Sequence, residues 1–380
     1  MIYHETPSGT LHQGEVLDIL RTLPDESVNC CVTSPPYWGL RDYGTAEWEG
    51  GDPECDHVER VASTTYKASK EKQQEMATKQ FGGQYKDTCA KCGAIRKDRQ
   101  LGLERTPEEY VARMVEIFRE VRRVLKPDGT LWLNLGDSYA MSSMRGKNSS
   151  FNGAVDQSKQ GIVGINKSIP IGLKPKDLVG IPWRVAFALQ ADGFYLRQDI
   201  IWHKPNPMPE SVTDRCTKSH EYVFLMSKSA KYYYDNEAIK ELANYDGRKD
   251  EVMKGSDKYA NGFVPNTSPQ SIAVVAHERW AHKDEEGNRL RNKRSVWTVT
   301  TKPFREAHFA TFPRDLIRPM IQAGCPADGV VLDPFMGSGT TAIEAIYQGK
   351  RYIGIDLNSD YCAMAAKRIE VELDQQVIDL

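Results

Sequence analysis

Residues 330–361 read VVLDPFMGSGTTAIEAIYQGKRYIGIDLNSDY and combine two apolar runs with a glycine-rich turn and a helix pattern between them. Residues 330–332 have the composition of a buried strand, and the two glycines of MGSG allow the backbone to turn sharply. Residues 340–347 predict a helix, and the second strand, RYIGI, ends at Asp356. The stretch therefore predicts a βαβ unit, which is the building block of an open α/β sheet.

The polar groups of this unit favour a nucleoside-containing cofactor. Gly337 and Gly339 open the loop, the free N–H groups of the helix start face it, and Asp356 can accept hydrogen bonds from a ribose diol. No Lys-Ser/Thr pair follows the glycines, which argues against an ATP-type phosphate loop. A nicotinamide dinucleotide remains open, because the loop also fits G-x-G-x-x-A. Asp333 suits a cofactor with a cationic amino-acid moiety, and Phe335 can pack on an adenine face. Both residues favour such a cofactor over a nicotinamide dinucleotide.

A second informative stretch is TSPPYW at 33–38, which follows the buried-strand pattern VNCCV. Pro35 and Pro36 restrict φ and stiffen the chain at the end of that strand. The Ser34 hydroxyl and the Pro35 carbonyl offer hydrogen-bond acceptors, and Tyr37 offers an aromatic ring. Taken alone, the stretch is better explained as a rigid turn that caps a strand.

The composition is that of an ordinary globular protein. The chain has 380 residues, of which 40% are hydrophobic and 27% charged, with a formal net charge of -2. Overall charge neither supports nor excludes a nucleic-acid partner, because attraction to phosphates depends on where Lys and Arg lie. The N-terminus lacks a signal-peptide pattern and no stretch approaches a membrane span, so we expect a cytoplasmic protein without membrane contact.

Helix and strand patterns continue outside the βαβ unit. T-P-E-E at 106–109 begins a helix with a capping box, PDG at 127–129 stops it, and 130–135 predicts a strand. The other predicted elements are a helix near 177–191, strands near 195–203 and 221–226, and helix-strand alternation over 311–373. Three polar segments, 58–88, 141–170 and 228–295, read as surface insertions or loops.

The two motifs together resemble the S-adenosylmethionine-dependent amino-methyltransferases of DNA, which methylate exocyclic amino groups of adenine or cytosine. The order is similar to the β-type arrangement of that family, with the catalytic tetrapeptide first, a variable region next and the cofactor loop last. The resemblance covers 33–43, 105–140, 175–228 and 295–370. It implies a permuted Rossmann-like methyltransferase sheet with helices on both faces, because ligands bind where strand order reverses, whichever strand comes first in the chain.

The resemblance also implies a division of the chain. Residues 1–54 and 101–228 would form the catalytic half of the methyltransferase domain, and 301–380 the cofactor-binding half. Residues 55–100 would be a zinc-binding insertion and 229–300 a variable DNA-recognition region. Lys, Arg, Asn, Gln and His in those two segments suit phosphate and base-edge contacts, although most such charges form a solvated surface.

Ser34, Pro35, Pro36 and Tyr37 are the catalytic residues that the resemblance implies. An exocyclic amino nitrogen is a poor nucleophile because its lone pair is delocalised into the ring. Acceptors at its two N–H groups, the Ser34 hydroxyl and the Pro35 carbonyl, would pull the nitrogen toward a tetrahedral geometry. Tyr37 would stack on a base that has been taken out of the duplex.

Further residues acquire cofactor-side or substrate-side roles from the resemblance. Those implied to bind S-adenosylmethionine are Asp333, Phe335, Gly337, Gly339, Asp356, His308, Phe309 and Pro313, of which the last three lie in the motif-like segment 304–321. Asp137 in GDSY is a weaker candidate for the cleft. Trp202, His203 and Lys204 lie in a segment similar to the loop beside the flipped base, although Trp and His in an apolar strand are as often core residues.

The target base follows from the residue before Pro-Pro-Tyr. Ser at this position is the pattern associated with N4-cytosine enzymes of the family, whereas Asp or Asn is more usual for N6-adenine enzymes. We therefore expect methylation of cytosine N4, with adenine N6 as the alternative. RNA or protein N-methyltransferases are more distant alternatives, since they share the cofactor loop. The implied partner is double-stranded DNA in a bacterial or phage system, and a homodimer and a cognate restriction endonuclease are left open.

Three cysteines and one histidine lie in two closely spaced pairs along the sequence, Cys55-x-His57 and Cys89-x-x-Cys92. C-x-x-C-G is a common zinc-knuckle turn, and four filled positions indicate a structural metal. Unligated thiols are the alternative. A zinc ion here would anchor an insertion that is too polar to fold alone.

Overall fold

The computed structural model describes residues 1–39, 47–56, 88–89, 91–97, 99–140, 172–243, 282–283, 289–301 and 312–378. The chain divides into two compact units, one formed by residues 1–234 with 295–380 and the other by residues 235–294. Among the described helices, none is both long and apolar enough to span a membrane.

The described elements alternate between strands and helices. The strands are β1 (Ile2–Thr6), β2 (Gly9–Gln13), β3 (Val28–Thr33), β4 (Glu47–Glu49), β5 (Ile95–Lys97), β6 (Leu125–Leu135), β7 (Tyr195–His203), β8 (His220–Ser227), β9 (Glu241–Leu242), β10 (His282–Lys283), β11 (Arg289–Arg291), β12 (Val296–Thr298), β13 (Val330–Asp333) and β14 (Arg351–Asp356). The helices are α1 (Val16–Leu20), α2 (Pro107–Val124), α3 (Ile181–Ala191), α4 (Arg314–Gly324), α5 (Thr340–Tyr347) and α6 (Ser359–Ile378).

The larger unit is built on a nine-stranded sheet in the order β1-β2-β14-β13-β3-β6-β8-β7-β12. The pairs from β2 to β6 are parallel, whereas β6 with β8 and β8 with β7 are antiparallel. The chain runs from β13 through α5 to β14 on one side and from β3 through α2 to β6 on the other. The strand order therefore reverses between β13 and β3, which is where an open α/β sheet binds ligands. The predicted α/β class is confirmed.

Side-chain alternation along the central strands buries both faces of the sheet. Cys31, Leu131 and Leu133 belong to the main core, which also contains residues of α1, α2 and α3. On the other face, the Thr130 hydroxyl donates a hydrogen bond of 3.2 Å to the Gly324 carbonyl in α4. Successive residues of a strand point to opposite faces, so helices cover both sides of this sheet.

Two boundaries differ from those expected from the sequence. PDG at 127–129 does not separate helix from strand, because β6 already begins at Leu125, opposite Val28, and the register shifts before Cys30 pairs with Thr130. Helix α3 begins at Ile181 rather than near 177. Gly180 precedes it with φ 78, a left-handed conformation that an α-helix cannot contain.

Residues 235–294 contain a small antiparallel sheet in the order β10-β11-β9. The Glu241 carboxylate accepts hydrogen bonds from Arg291 at 3.0 Å and from Arg294 at 2.8 Å. This polar segment thus has local order of its own over the residues that the structure describes.

Candidate active site

The glycine loop connects β13 to α5 at the reversal point of the sheet. Gly337 has φ 51 and Gly339 has φ 83, both in the left-handed region that favours glycine. A Cβ on Gly339 would also lie 3.0 Å from the Ala365 Cβ. Glycine is therefore required for the turn itself and for the close approach of α6.

Asp356 holds this loop from the end of β14. Its two carboxylate oxygens accept hydrogen bonds from the backbone N–H groups of Gly337 and Asn358, each at 2.8 Å. Burial raises the pKa of Asp356 from 3.8 to about 6. The side chain is only partly enclosed. A carboxylate has further lone pairs, so Asp356 can accept hydrogen bonds from a ligand as well.

Asp333 connects the glycine loop to the strand that carries the proline motif. Its carboxylate accepts hydrogen bonds from the hydroxyls of Thr33 and Thr341, both at 2.6 Å, and from the Phe335 N–H at 3.0 Å. The residue is 1% exposed. These contacts tie β3, β13 and α5 together, while a contact of Asp333 with a cationic ligand group stays a prediction.

We expect the stability contribution of Asp333 to depend on pH. Burial raises the pKa of Asp333 from 3.8 to about 6. The cost of burying the charge is fully present above the folded-state value and is relieved as the native carboxyl takes up a proton between about pH 6 and pH 4. Relative to Asp333→Asn, which cannot titrate, the wild type should gain about 2 kcal/mol of unfolding free energy on going from about pH 7.5 to about pH 4.

Urea unfolding of the cofactor-free protein at both pH values measures this change. Asp360→Asn is the matched control, because Asp360 is exposed in the first turn of α6. A difference between wild type and Asp333→Asn that stays the same at both pH values would contradict the assignment.

The proline motif forms a braced turn directly after β3. The Tyr110 hydroxyl donates a hydrogen bond to the Pro36 carbonyl at 3.0 Å, and the indole N–H of Trp38 donates to the Glu104 carbonyl at 2.9 Å. Pro35 is buried, whereas Ser34 and Tyr37 are partly exposed. Because Thr33 binds Asp333, the turn lies beside the glycine loop, as expected for strand ends that share one edge.

Polar side chains continue from this turn into the neighbouring strands. The Ser34 hydroxyl lies 3.3 Å from the Tyr37 hydroxyl and 3.2 Å from the Asn134 carbonyl oxygen. The Tyr37 hydroxyl donates to the Glu221 carboxylate at 2.8 Å. A Cβ on Gly136 would lie 2.5 Å from the Tyr37 ring, so the ring packs directly on the backbone at the end of β6.

Asn134 and Glu221 were not among the residues selected from the sequence. Each is a polar residue at the end of an apolar strand, in TLWLNL and EYVFLM respectively, and that is the signal that was available. β8 is antiparallel to β6, with Asn134 opposite Val223. The amino end of β8 therefore lies at the same edge as the carboxyl end of β6, a proximity that only the pairing reveals.

The weaker candidates have mainly structural contacts. Asp137 caps α3, because its carboxylate accepts hydrogen bonds from the N–H groups of Gly180 at 3.0 Å and Ile181 at 3.1 Å. Trp202 is buried and its indole donates to the Val299 carbonyl at 2.9 Å. His203 contacts the Thr298 hydroxyl at 3.1 Å.

The remaining predicted cofactor residues are covered only in part. Pro313 is buried and precedes α4 as its N-cap residue. His308 and Phe309 lie outside the described residues.

Three of the four predicted zinc ligands come together. The sulfur atoms of Cys55, Cys89 and Cys92 all lie within 4.8 Å of one another, and those of Cys55 and Cys89 are 3.9 Å apart. His57 lies outside the described residues. The three cysteines lie between β4 and β5 in the sequence, and these two strands pair antiparallel with Glu49 opposite Ile95.

The chain matches a known protein family over most of its length. The N6/N4 methyltransferase family model, described as DNA methylase, matches residues 28–367. The chain belongs to this DNA methylase family. The methylase is 40% identical over 374 residues to the type II methyltransferase M.Cfr9I of Citrobacter freundii, covering 98% of this chain and 91% of that protein.

A second relative agrees with this result, and a solved structure has a similar fold. The methylase is 38% identical over 356 residues to the type II methyltransferase M.SmaI of Serratia marcescens, covering 94% of this chain and 89% of that protein. The fold is similar to that of the PvuII DNA methyltransferase (cytosine-N4-specific), with a TM-score of 0.52 and 17% identity over 97% of this chain and 91% of that chain. At this identity the similarity concerns the fold alone.

Family membership confirms the resemblance that the two motifs indicated. The methylase is an S-adenosylmethionine-dependent DNA amino-methyltransferase. The dehydrogenase alternative, which the glycine loop left open, is thereby excluded, as are the RNA and protein methyltransferases. The choice between cytosine N4 and adenine N6 is not decided by membership.

Proposed function

We propose that the methylase methylates N4 of a cytosine that has been flipped out of double-stranded DNA. The observation that carries this proposal is the neutral Ser34 hydroxyl in the braced turn after β3. It is supported by Tyr37 and Asn134 and lies beside the cofactor loop through the Thr33–Asp333 hydrogen bond. A hydroxyl in place of a carboxylate or amide is the family pattern that favours cytosine over adenine.

The loop residues fit the proposed cofactor. Gly337 and Gly339 leave backbone accessible to a ligand, and Asp356 retains acceptor capacity for a ribose diol. Phe335 is a partly buried ring packed against the core, with a face suited to adenine. When bound, S-adenosylmethionine supplies a methyl group on a good leaving group. His308, Phe309 and Pro313 are proposed to complete the methionine side of this site.

The residues of the turn have separate proposed roles toward the base. The Ser34 oxygen and the Pro35 carbonyl would accept the two amino N–H groups, which directs the nitrogen lone pair toward the methyl group. The Tyr37 ring, held from behind by Gly136, would support the plane of the flipped base. Pro35 and Pro36 keep this geometry rigid.

Mass spectrometry of nucleosides from DNA treated with the purified enzyme tests the proposal. We expect 4-methylcytosine to appear and N6-methyladenine to be absent. N6-methyladenine without 4-methylcytosine would overturn the choice of base while leaving the family assignment intact. DNA treated with the Ser34→Ala variant supplies the background level of methylated nucleosides.

We assign sequence recognition to residues 229–300 together with the insertion 55–100, and the two halves of the methyltransferase domain to 1–54 with 101–228 and to 301–380. The basic run RLRNKRS at 289–295 supports phosphate contacts from residues 229–300.

The salt dependence of DNA binding measures one such contact when wild type is compared with Lys293→Gln. We expect a shallower salt dependence in the variant, and an unchanged one would contradict a phosphate contact at this residue.

We also propose that Cys55, Cys89, Cys92 and His57 bind a structural zinc ion. Tetrahedral Zn–S bonds of about 2.3 Å place two sulfur atoms about 3.8 Å apart. The 3.9 Å between the Cys55 and Cys89 sulfur atoms agrees with that geometry. A filled four-ligand site would hold the two ends of the insertion together without taking part in methyl transfer.

Elemental analysis of the purified protein should find about one zinc per chain. Cys92→Ser should lose most of the metal, because a site with three ligands binds zinc weakly. Cys216→Ser is the matched control, since Cys216 is exposed and outside the cluster. His57→Ala tests the fourth ligand. Wild-type protein without stoichiometric zinc would disprove the site.

A further inference from the structure

The catalytic turn rests on a chain of four polar side chains, Ser34, Tyr37, Asn134 and Glu221, which we call the Ser34–Glu221 chain. Ser34 contacts Tyr37 and Asn134, and Tyr37 contacts Asn134 at 3.2 Å and Glu221 at 2.8 Å. Asn134 closes the chain, because its amide group donates to Glu221 at 3.3 Å. Strands β3, β6 and β8 thus contribute to one hydrogen-bonded unit.

Glu221 is held in a largely enclosed position. Its side chain is 17% exposed, and one carboxylate oxygen pairs with the ammonium group of Lys204. That ammonium group also lies 4.1 Å from the centre of the Trp202 ring, which fixes it from the other side. The second oxygen is the one that receives Tyr37 and Asn134. The carboxylate is therefore directed at the catalytic turn rather than at solvent.

The donor and acceptor roles of Tyr37 and Asn134 in this chain are fixed by their partners. An ionised carboxylate only accepts, so the Tyr37 hydroxyl must donate to Glu221. The amide nitrogen of Asn134 faces Glu221 and the Tyr222 carbonyl, at 3.1 Å from the latter, so its carbonyl oxygen faces Ser34 and Tyr37. Ser34 then finds acceptors on both neighbours and uses its single proton on the protein side. Its lone pairs are left to accept a substrate N–H.

We propose that Glu221 is a positioning residue for methyl transfer: it sets the donor direction of Tyr37 and Ser34 and places a negative charge behind them. This inference rests on the proposed role of the turn. The amino nitrogen becomes positive as it is methylated, whereas the Ser34 hydroxyl is neutral. Glu221 provides a negative charge behind Ser34, and the Tyr37 hydroxyl connects the two residues.

Tyr37 can perform this role because it stays protonated. Burial and the charge of Glu221 raise the pKa of the Tyr37 phenol well above its usual range. A neutral phenol both donates to Glu221 and accepts from Ser34. Loss of the Glu221 charge would let the Tyr37 proton turn toward Asn134, which would compete with Ser34 for the same acceptor.

Steady-state kinetics of Glu221→Gln test the proposal. We expect kcat to fall about 10- to 100-fold, the range for losing a hydrogen bond to a charged group, while KM for DNA and Kd for the cofactor change less than about threefold. Glu120→Gln is the matched control. Glu120 also pairs with a cation, Arg123 at 2.8 Å, and is 22% exposed, but it lies on α2 and does not belong to the Ser34–Glu221 chain. The control should keep wild-type kcat.

A double-mutant cycle distinguishes positioning from general support of the fold. Tyr37→Phe removes the hydroxyl that contacts both Ser34 and Glu221, and it leaves the contacts of Asn134 with both residues in place. Adding Glu221→Gln to Tyr37→Phe should therefore lower kcat by less than about threefold, although each single change lowers it strongly. Fully additive losses, or wild-type kcat in Glu221→Gln, would overturn the proposal.

Ser34→Ala separates this inference from the proposed function. Low kcat in Ser34→Ala together with normal kcat in Glu221→Gln would rule out the positioning role of Glu221 and leave the proposed function intact. Normal kcat in Ser34→Ala would remove the role of the turn, and the inference would fall with it. Kinetics of Glu221→Gln are measured below the melting temperature of that variant, so that kcat reports the folded enzyme.

Discussion

Ser34→Ala should lower kcat for DNA methylation by roughly 10²- to 10⁴-fold, the contribution that a positioned polar group makes to a transition state. The substitution removes the acceptor proposed for the amino group and leaves the surrounding side chains in place. Tyr37 keeps its contacts with Asn134 and Glu221, at 3.2 and 2.8 Å. We therefore expect cofactor Kd to stay within about twofold of the wild-type value.

Single-turnover methylation of DNA and calorimetric titration of the cofactor measure the two quantities separately. Ser27→Ala is the matched control. Ser27 precedes the opposite end of β3, and its hydroxyl donates to the Pro24 carbonyl at 2.7 Å. Full turnover in Ser34→Ala would show that the hydroxyl does not act on the amino group.

Asp356→Ala should have the opposite pattern and weaken cofactor binding by about 10²-fold or more. The carboxylate accepts from the N–H groups of Gly337 and Asn358, each at 2.8 Å, and each bond to a charged group contributes about 1.5–3 kcal/mol. The variant loses the brace of the glycine loop as well as the acceptor proposed for the ribose. The effect should appear in Kd, with kcat recovering at saturating cofactor.

Titration of the cofactor into wild type, Asp356→Ala and Asp360→Ala measures this effect. Asp360 lies on α6 close to Asp356 in sequence and is exposed, so its replacement should leave Kd unchanged. An unchanged Kd in Asp356→Ala would exclude this carboxylate from the cofactor site. Asp356→Asn keeps a neutral acceptor, so its Kd for the cofactor should lie between those of wild type and Asp356→Ala.

Local sequence was sufficient for the cofactor loop because its parts are close along the chain. The expectation that Asp356 meets the glycine turn needs only one βαβ unit, in which the strand tip and the loop are brought together by the helix between them. The Gly337–Asp356 hydrogen bond of 2.8 Å confirms that proximity. The start of α3 was less predictable, because it depends on Gly180 and on a cap from Asp137 that is far away in the sequence.

The contacts of Asp333 could not be predicted from local sequence. An acid before a glycine loop suggests an exposed ligand contact, whereas Asp333 is 1% exposed and accepts hydrogen bonds from Thr33 and Thr341. Thr33 lies 300 positions earlier in the chain. Only the parallel pairing of β3 with β13 brings the two residues together.

The sequence by itself determined the α/β class, the glycine loop with its Asp356 contact, and the family, because each depends on residue types and spacing within short stretches or on the order of two such stretches. The tertiary structure alone decided that Asn134 and Glu221 stand behind Ser34. These residues lie on β6 and β8, whose antiparallel pairing places the end of one strand beside the start of the other. Hydrogen bonds form between neighbours in space, and strand pairing, which sequence spacing does not encode, selects those neighbours.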